Sequence, residues 1–326
     1  MSKETHMGPI LVAGSGKLAH SVSVCFAQAG HRVTLLTDAV AEAQRACNTH
    51  FADVRQYTTA DVNHDLLEIL SSIPDARSFR LAVVVTGEDL VEKQTWIEHV
   101  ESLVAEDVTI AINTESFDLS MLQEGARFPR RIIGANWTEP AHTTRFLELI
   151  ENENTDAERV ENVAKLARDF WEKDSYCLTH GSGIRQRLMS ALIREAMYLV
   201  ENEYASVEDI DRACRNDAGY YLPFAGNCRY MDLMGTYAYG MVMKDLNPEL
   251  AKNDTVASFY SDILEMGGKG MENNAGFFDY QPGEVTDWEE KARRFSYQIQ
   301  EIIEQYSSSQ PIEAAALVSA NGQSKE

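Results

Sequence analysis

The chain has 326 residues, 44% hydrophobic and 25% charged, enough for two domains that each bury a core. Its formal net charge of −22 is spread along the chain, with 12 Lys+Arg against 20 Asp+Glu in residues 1–150 and 17 against 31 beyond. That excess argues against nucleic acid or an anionic membrane surface as a partner and leaves any anionic ligand to local donors. No apolar run reaches the ~20 residues of a bilayer span, and Met1 to Met7 is polar, without a signal-peptide pattern. The five cysteines (Cys25, Cys47, Cys177, Cys214, Cys228) are scattered, with no CxxC pair. They read as reduced thiols of a cytoplasmic protein, neither a disulfide framework nor a metal site.

Residues 10–13 are expected as a short buried strand, and Gly14-Ser-Gly16-Lys17-Leu18-Ala19 as a tight turn into a helix. Leu18, Val22, Cys25, Phe26 and Ala29 repeat at helical spacing, Gly30 stops the helix, and residues 33–36 form the next strand. In this βαβ start Gly14 permits the turn, Gly16 lets backbone approach a dinucleotide pyrophosphate, and Ala19 keeps helix and strand close. The pyrophosphate would sit on the free N–H groups at the helix start.

Helices are then expected over residues 38–50 and 60–72, a strand over 81–85, a helix over 90–104, and a strand over 108–112 that ends at Asn113-Thr114. Strands follow over 131–134 and 146–150, a helix over 155–171 and a short strand over 176–179. This alternation implies an open, largely parallel sheet with helices on both faces. Its ligand crevice lies at the carboxyl ends of the strands, where Gly14, Gly87 and Asn113 fall. Everything after Ser182 reads as helical. Residues 182–202 carry two apolar stripes, one through Ile184, Leu188 and Leu192 and one through Met189, Ile193 and Ala196, as in a helix buried in a core or a subunit interface. Ser206-Val-Glu-Asp209 reads as a capping box, and Thr286-Asp-Trp-Glu289 opens a last helix with Trp288, Phe295, Ile302 and Tyr306 on one face. Residues 307–326 read as a disordered tail.

The order of these segments resembles the L-3-hydroxyacyl-CoA dehydrogenase family. Matching stretches are the glycine turn, Glu88-Asp-Leu-Val-Glu-Lys93, Ile112-Asn-Thr114, Arg131-Ile-Ile-Gly134 with Pro140, Phe146-Leu-Glu148-Leu-Ile150, Arg187-Leu188 with Glu195-Ala196, residues 205–211 and Gly276-Phe-Phe-Asp-Tyr280. The resemblance implies an α/β fold, a Rossmann-type doubly wound parallel sheet over residues 1–181, then an all-helical C-terminal domain over 182–306 for substrate and dimerisation. It implies NAD-dependent oxidation of a secondary alcohol by a His and Glu acid–base dyad in a homodimer. Gly14, Gly16, Lys17 and Leu18 would then form the turn beside the cofactor, with Glu88 and Lys93 on the nicotinamide side and Asn113 near the nicotinamide ribose. The family's ribose-binding acid falls on Thr37, with Asp38 one residue later as the available carboxylate. No Arg or Lys follows at once, so NAD is favoured over NADP.

The catalytic positions depart from the family. Its His-Phe-Phe-Asn-Pro reads Asn136-Trp-Thr-Glu-Pro140 here, its Ser after Asn-Thr is Glu115, and its Asn before Arg-Leu is Gln186, while Glu148 survives. An amide holds an oxygen by hydrogen bonds but takes no proton at neutral pH, so Asn136 is expected to polarise the substrate oxygen. Three readings follow. A desolvated Glu148 or Glu115 takes over proton transfer, on a cationic or neutral substrate; His142 or His180 replaces the base; or hydride chemistry is lost. Retention of Glu88, Lys93 and Asn113 with the glycines favours the first two. Arg185, or Arg229 beside Tyr220 and Tyr221, could meet a carboxylate. The reading adopted is an NAD(H)-dependent oxidoreductase acting at a hydroxyl or carbonyl carbon of a small molecule other than a CoA thioester. The alternative is a catalytically inactive or repurposed dinucleotide-binding relative.

Overall fold

The computed structural model describes residues 8–60, 62–73, 78–179 and 183–306. The apolar runs of the first half pair into one sheet. Strand β1 (Ile10–Gly14) leads through helix α1 (Gly16–Gln28) to β2 (Val33–Leu36), α2 (Val40–Tyr57) and β3 (Leu67–Leu70). Then come β4 (Leu81–Val85), α3 (Leu90–Leu103), β5 (Thr109–Ile112), the short α4 (Leu119–Gln123) and β6 (Ile132–Trp137). Next are β7 (Phe146–Ile150), α5 (Ala157–Phe170) and β8 (Asp174–Leu178). The strand order is β3-β2-β1-β4-β5-β6-β7-β8. Neighbouring strands from β3 across to β6 are parallel; β7 runs antiparallel to β6, and β8 is parallel to β7. The central β1 and β4 are buried along their whole length, which is why they read as unbroken apolar runs. One core lies between the sheet and α1, α2 and α5, and a second between the sheet and α3 and α4. This is the Rossmann-type doubly wound fold.

One expected element is corrected. Residues 60–72 were expected to be helical, but a 3-10 turn at His64–Leu66, with the Asn63 side chain accepting from the Asp65 N–H, feeds β3. Leu66, Leu67, Ile69 and Leu70 suit either period, and parallel pairing with β2 at the sheet edge decides the outcome. The helix expected over 38–50 runs on to Tyr57, because Phe51 and Val54 continue the buried stripe of Ala43 and Cys47.

The second half is helical: α6 (Ile184–Glu201), α7 (Val207–Ala213), α8 (Gly219–Met234), α9 (Thr236–Leu246), α10 (Ser258–Glu265) and α11 (Glu284–Tyr306). The capping box is formed, with the Asp209 N–H on Ser206 Oγ at 3.1 Å and the Ser206 N–H on Asp209 Oδ2 at 3.4 Å. The α6 stripes are not buried within this chain. Leu188 is 67% and Leu192 50% exposed, and Ala196 is the one buried residue of that helix. Trp288, Phe295, Ile302 and Tyr306 of α11 are exposed as well. The other side of α11 packs on α2 through Arg293 Nε and Asp53 Oδ2, 2.7 Å apart. The expected tail and His180 fall outside the described residues.

His50 of α2 and His142 of the β6–β7 loop face each other with ring centroids 4.6 Å apart. Burial, reinforced by Arg293 and His20, pushes His50 down from 6.5 to about 4, and burial also drives His142 well down. A histidine with a lower pKa in the folded state takes up its proton on unfolding, so stability is lost as pH falls from 6.5 through about 4. The Tm of the protein should drop across that window. In His50→Phe the drop should be smaller by roughly 3–6 °C, as read by thermal melts at stepped pH.

Candidate active site

The glycine turn is dictated by close approach. Gly14 has φ +135°, and a Cβ there would stand 1.8 Å from the Val85 carbonyl oxygen of β4. Gly16 has φ +84° and open space where its Cβ would be. Ser15, at the N-cap of α1, makes no side-chain cap, and the first turn of α1 holds no acidic side chain. The helix start therefore offers N–H groups and a positive dipole end to an open space, which fits a dinucleotide pyrophosphate. Ala19 is fully buried against the sheet and Leu18 packs partly on the same core. Lys17 points elsewhere: its ammonium binds Glu289 of α11 at 2.5 Å, a contact that raises its pKa. At the end of β2, Thr37 is buried with its hydroxyl accepting the Ala39 N–H, while Asp38 is exposed.

Next along the strand ends, Lys93 of α3 is fully buried and donates to the Asn113 carbonyl at 2.8 Å and Thr86 Oγ1 at 3.3 Å. Burial lowers its pKa, and Glu88, 3.7 Å away, opposes that shift. The Asn113 amide pairs both ways with the Thr86 backbone, at 3.1 and 2.9 Å. Lys93 and Asn113 thus fasten the end of β4 to the end of β5. Of the three residues expected toward nicotinamide, Glu88 keeps an open face, with its carboxylate accepting from Ser116 Oγ at 2.6 Å.

Asn136 and Glu148 are directly opposed on β6 and β7. Asn136 Oδ1 accepts the N–H groups of Thr114 (2.8 Å) and Glu115 (3.3 Å). Its Nδ2 donates to Thr114 Oγ1 (2.9 Å) and Glu148 Oε1 (3.1 Å). Both amide hydrogens are taken up within the protein, which argues against the expected role of Asn136 in polarising a substrate oxygen. Glu148 is 0% exposed, and its Oε2 accepts the Ile184 N–H at 2.7 Å, capping α6. A Cβ on Gly183 would stand 1.8 Å from Glu148 Oε1, so the chain passes directly over the carboxylate. Glu148 is enclosed, which argues against its expected role as proton acceptor.

Glu115 differs. It sits at the end of β5 with φ +50° and a side chain 15% exposed. Its carboxylate accepts from the Gln186 amide and from Arg185 at 3.3 Å. Burial raises its pKa, aided by Glu88 and Glu148 and opposed by Arg185 and Lys93. Ser116 and Gln186 line a cavity of about 690 Å³ that extends along α6 past Arg187, Arg194 and Tyr198. In the sequence Arg187 was named only as part of a stretch matching the family, and Arg194 not at all; two arginines seven residues apart, on one helical face of an acidic chain, were the available signal. Neither has an ion pair among the described residues. The expected neighbourhood of Arg229, Tyr220 and Tyr221 lines no part of this cavity, and Tyr221 stacks on Tyr230 at 4.0 Å. His142 faces His50 instead of joining this network, which argues against it as a replacement base.

Residues 9–176 match the family described as 3-hydroxyacyl-CoA dehydrogenase, NAD binding domain, and residues 184–280 match its C-terminal domain. The 5-formyl-3-hydroxy-2-methylpyridine 4-carboxylate 5-dehydrogenase of Mesorhizobium japonicum is 25% identical over 225 residues, covering 69% of this chain and 73% of that protein. A crystal structure of an enzyme of that name, described as an NAD+-dependent dismutase, superposes with TM-score 0.85 and 22% identity over 92% of this chain and 100% of its own. The 3-hydroxybutyryl-CoA dehydrogenase of Clostridioides difficile is 22% identical, covering 83% of this chain and 99% of its own. The chain spans only 32–33% of the fatty acid oxidation complex α subunits of Shewanella that it matches. With its glycine turn and strand ends shaped for the cofactor, the chain belongs to the 3-hydroxyacyl-CoA dehydrogenase family of NAD-dependent oxidoreductases.

Proposed function

We propose that this protein oxidises or reduces a small anionic substrate at a hydroxyl or carbonyl carbon with NAD(H), Glu115 handling the proton. One observation carries the reading: Glu115 is a partly accessible carboxylate whose chain neighbour Ser116 and partner Gln186 both line the cavity. Gly14, Gly16 and the start of α1 would hold the pyrophosphate, Asp38 the adenosine ribose, and Glu88 the nicotinamide side. When bound, NAD accepts a hydride from the substrate carbon. The hydroxyl proton passes to Glu115, whose raised pKa suits it to general-base work, while Gln186 and Arg185 fix the carboxylate.

Arg187 and Arg194 make the substrate an anion. Both guanidinium groups line the cavity, and neither has an ion-pair partner among the described residues, so a carboxylate bound there would meet two open cations in a chain of net charge −22. The M. japonicum relative is named for a pyridine carboxylate, which supports the same substrate class. The exposed apolar faces of α6 and α11 support a homodimer formed through a helical domain over residues 182–306. Free cysteines support a cytoplasmic location.

The test is a panel of small hydroxy- and formyl-carboxylates with matched neutral analogues, followed by NADH absorbance. Carboxylates should be preferred in kcat/KM by at least about tenfold, and Arg187→Met with Arg194→Met should erase the preference. Equal use of neutral analogues would overturn the anionic substrate. NADH binding without turnover on any of the panel would favour the repurposed dinucleotide binder.

A further inference from the structure

Hydrogen bonds around Glu115 close into a ring. Its N–H donates to Asn136 Oδ1, Asn136 Nδ2 donates to Glu148 Oε1, and Glu148 Oε2 accepts the Ile184 N–H at the start of α6. One and two residues further along α6, Arg185 and Gln186 return to the Glu115 carboxylate. The ring thus grips Glu115 at its backbone and at its side-chain tip.

Residue types around the ring are set by donor and acceptor count. Position 136 must accept two backbone N–H groups on one atom and donate two hydrogens from another, which an amide does. Position 148 must meet two donors, one on each oxygen, which a carboxylate does and an amide cannot. Glu115 itself holds φ +50°, a conformation that persists in a non-glycine residue when its surroundings over-determine it.

We propose that Asn136 and Glu148 are positioning residues for Glu115, so that the placement of the proton acceptor depends on a hydrogen-bond ring running through both. The inference rests on Glu115 as the proton acceptor. Glu148 in this arrangement neither gives nor takes a proton; it joins the end of β5, through Asn136, to the start of α6.

The ring can be broken and remade with near-isosteric changes. Glu148→Gln places a donor against either the Asn136 amide or the Ile184 N–H, so one contact is lost whichever way the new amide turns. Adding Asn136→Asp reverses the direction of the 136–148 hydrogen bond: the carboxylate now accepts from the amide at 148, whose oxygen still accepts the Ile184 N–H. Thr114 Oγ1 lies within hydrogen-bond reach of both side-chain ends of Asn136, as donor to Oδ1 and acceptor from Nδ2, and as a hydroxyl it can donate to the new carboxylate.

On a substrate found in the panel above, Glu148→Gln should lower kcat by about tenfold or more, the scale of a misplaced catalytic group. The rising limb of its pH–rate profile should remain, and NADH affinity should stay within about twofold. Asn136→Asp/Glu148→Gln should recover most of the loss. Unchanged kcat in Glu148→Gln would overturn the proposal, and so would an activity loss that the double variant does not repair. Loss of the pH limb in Glu148→Gln would make Glu148 the base and overturn it too. Glu115→Gln, measured alongside, tests the underlying reading separately: if it keeps full activity, the assignment of Glu115 fails whatever position 148 shows.

Discussion

Glu115→Gln is expected to lower kcat by about 10²- to 10⁴-fold, the range for removal of a positioned general base, while NADH binding changes by less than about twofold. The amide can still accept from Gln186 and Arg185 through its oxygen, so the local fold survives and proton transfer does not. The sign of the pH dependence follows from the state each direction requires. Alcohol oxidation needs the carboxylate, and burial holds the Glu115 pKa above the ordinary value of 4.5, so kcat/KM for oxidation should rise with pH through that raised pKa. Carbonyl reduction needs the protonated acid and should fall over the same interval. Glu115→Gln should flatten both limbs. Profiles that keep their limbs in the variant would place the proton acceptor elsewhere.

The first βαβ unit was legible because each of its signals is local. Residues 10–14 and 33–36 are apolar but for Thr34, the α1 stripe has helical period, and Gly14, two residues before Gly16, marks a turn where only glycine fits. β3 was misread for the opposite reason. Its four residues carry no period of their own, and their strand conformation comes from hydrogen bonds supplied by β2. The apolar stripes of α6 and α11 were legible as stripes, but sequence periodicity says that a face is covered without saying by what. Within this chain those faces stay open.

The candidate site divides the same way. The resemblance to the dehydrogenase family brought Glu88, Lys93, Asn113, Glu115, Asn136, Glu148 and Gln186 into view, and the structure gathers all seven near adjacent strand ends. Which of them faces a ligand was not legible, because that depends on where each hydrogen bond goes. Asn113 spends both ends of its amide on the Thr86 backbone, Asn136 is saturated by Thr114, Glu115 and Glu148, and Lys93 is buried under the loop it fastens. At the position of the family His, Asn136 forms a two-way hydrogen-bond relay, and in the function proposed above proton chemistry falls to Glu115 on the neighbouring strand end.

Gly14→Ala and Gly16→Ala should separate folding from cofactor binding. At Gly14 the new methyl would overlap the Val85 carbonyl oxygen at 1.8 Å, and that oxygen is backbone of the central strand β4, which cannot step aside alone. Backbone strain at φ +135° adds to the clash. Together they should cost roughly 3–5 kcal/mol, or a Tm loss of about 10 °C for a domain of this size. At Gly16 the methyl would meet no atom within 4 Å, so folding bears only the strain of φ +84°, about 1–2 kcal/mol. The methyl enters the open space before α1 where the pyrophosphate is to lie, so Gly16→Ala should keep its Tm to within about 5 °C yet weaken NADH by more than about tenfold, roughly 1.4 kcal/mol. Thermal melts and quenching of the four tryptophans by NADH read both quantities on the same samples. Tight NADH binding by Gly16→Ala would move the pyrophosphate away from this turn. A Gly14→Ala protein with unchanged Tm would mean that β1 and β4 can part at their carboxyl ends, and the site built across those ends would then be less rigid than its hydrogen bonds require.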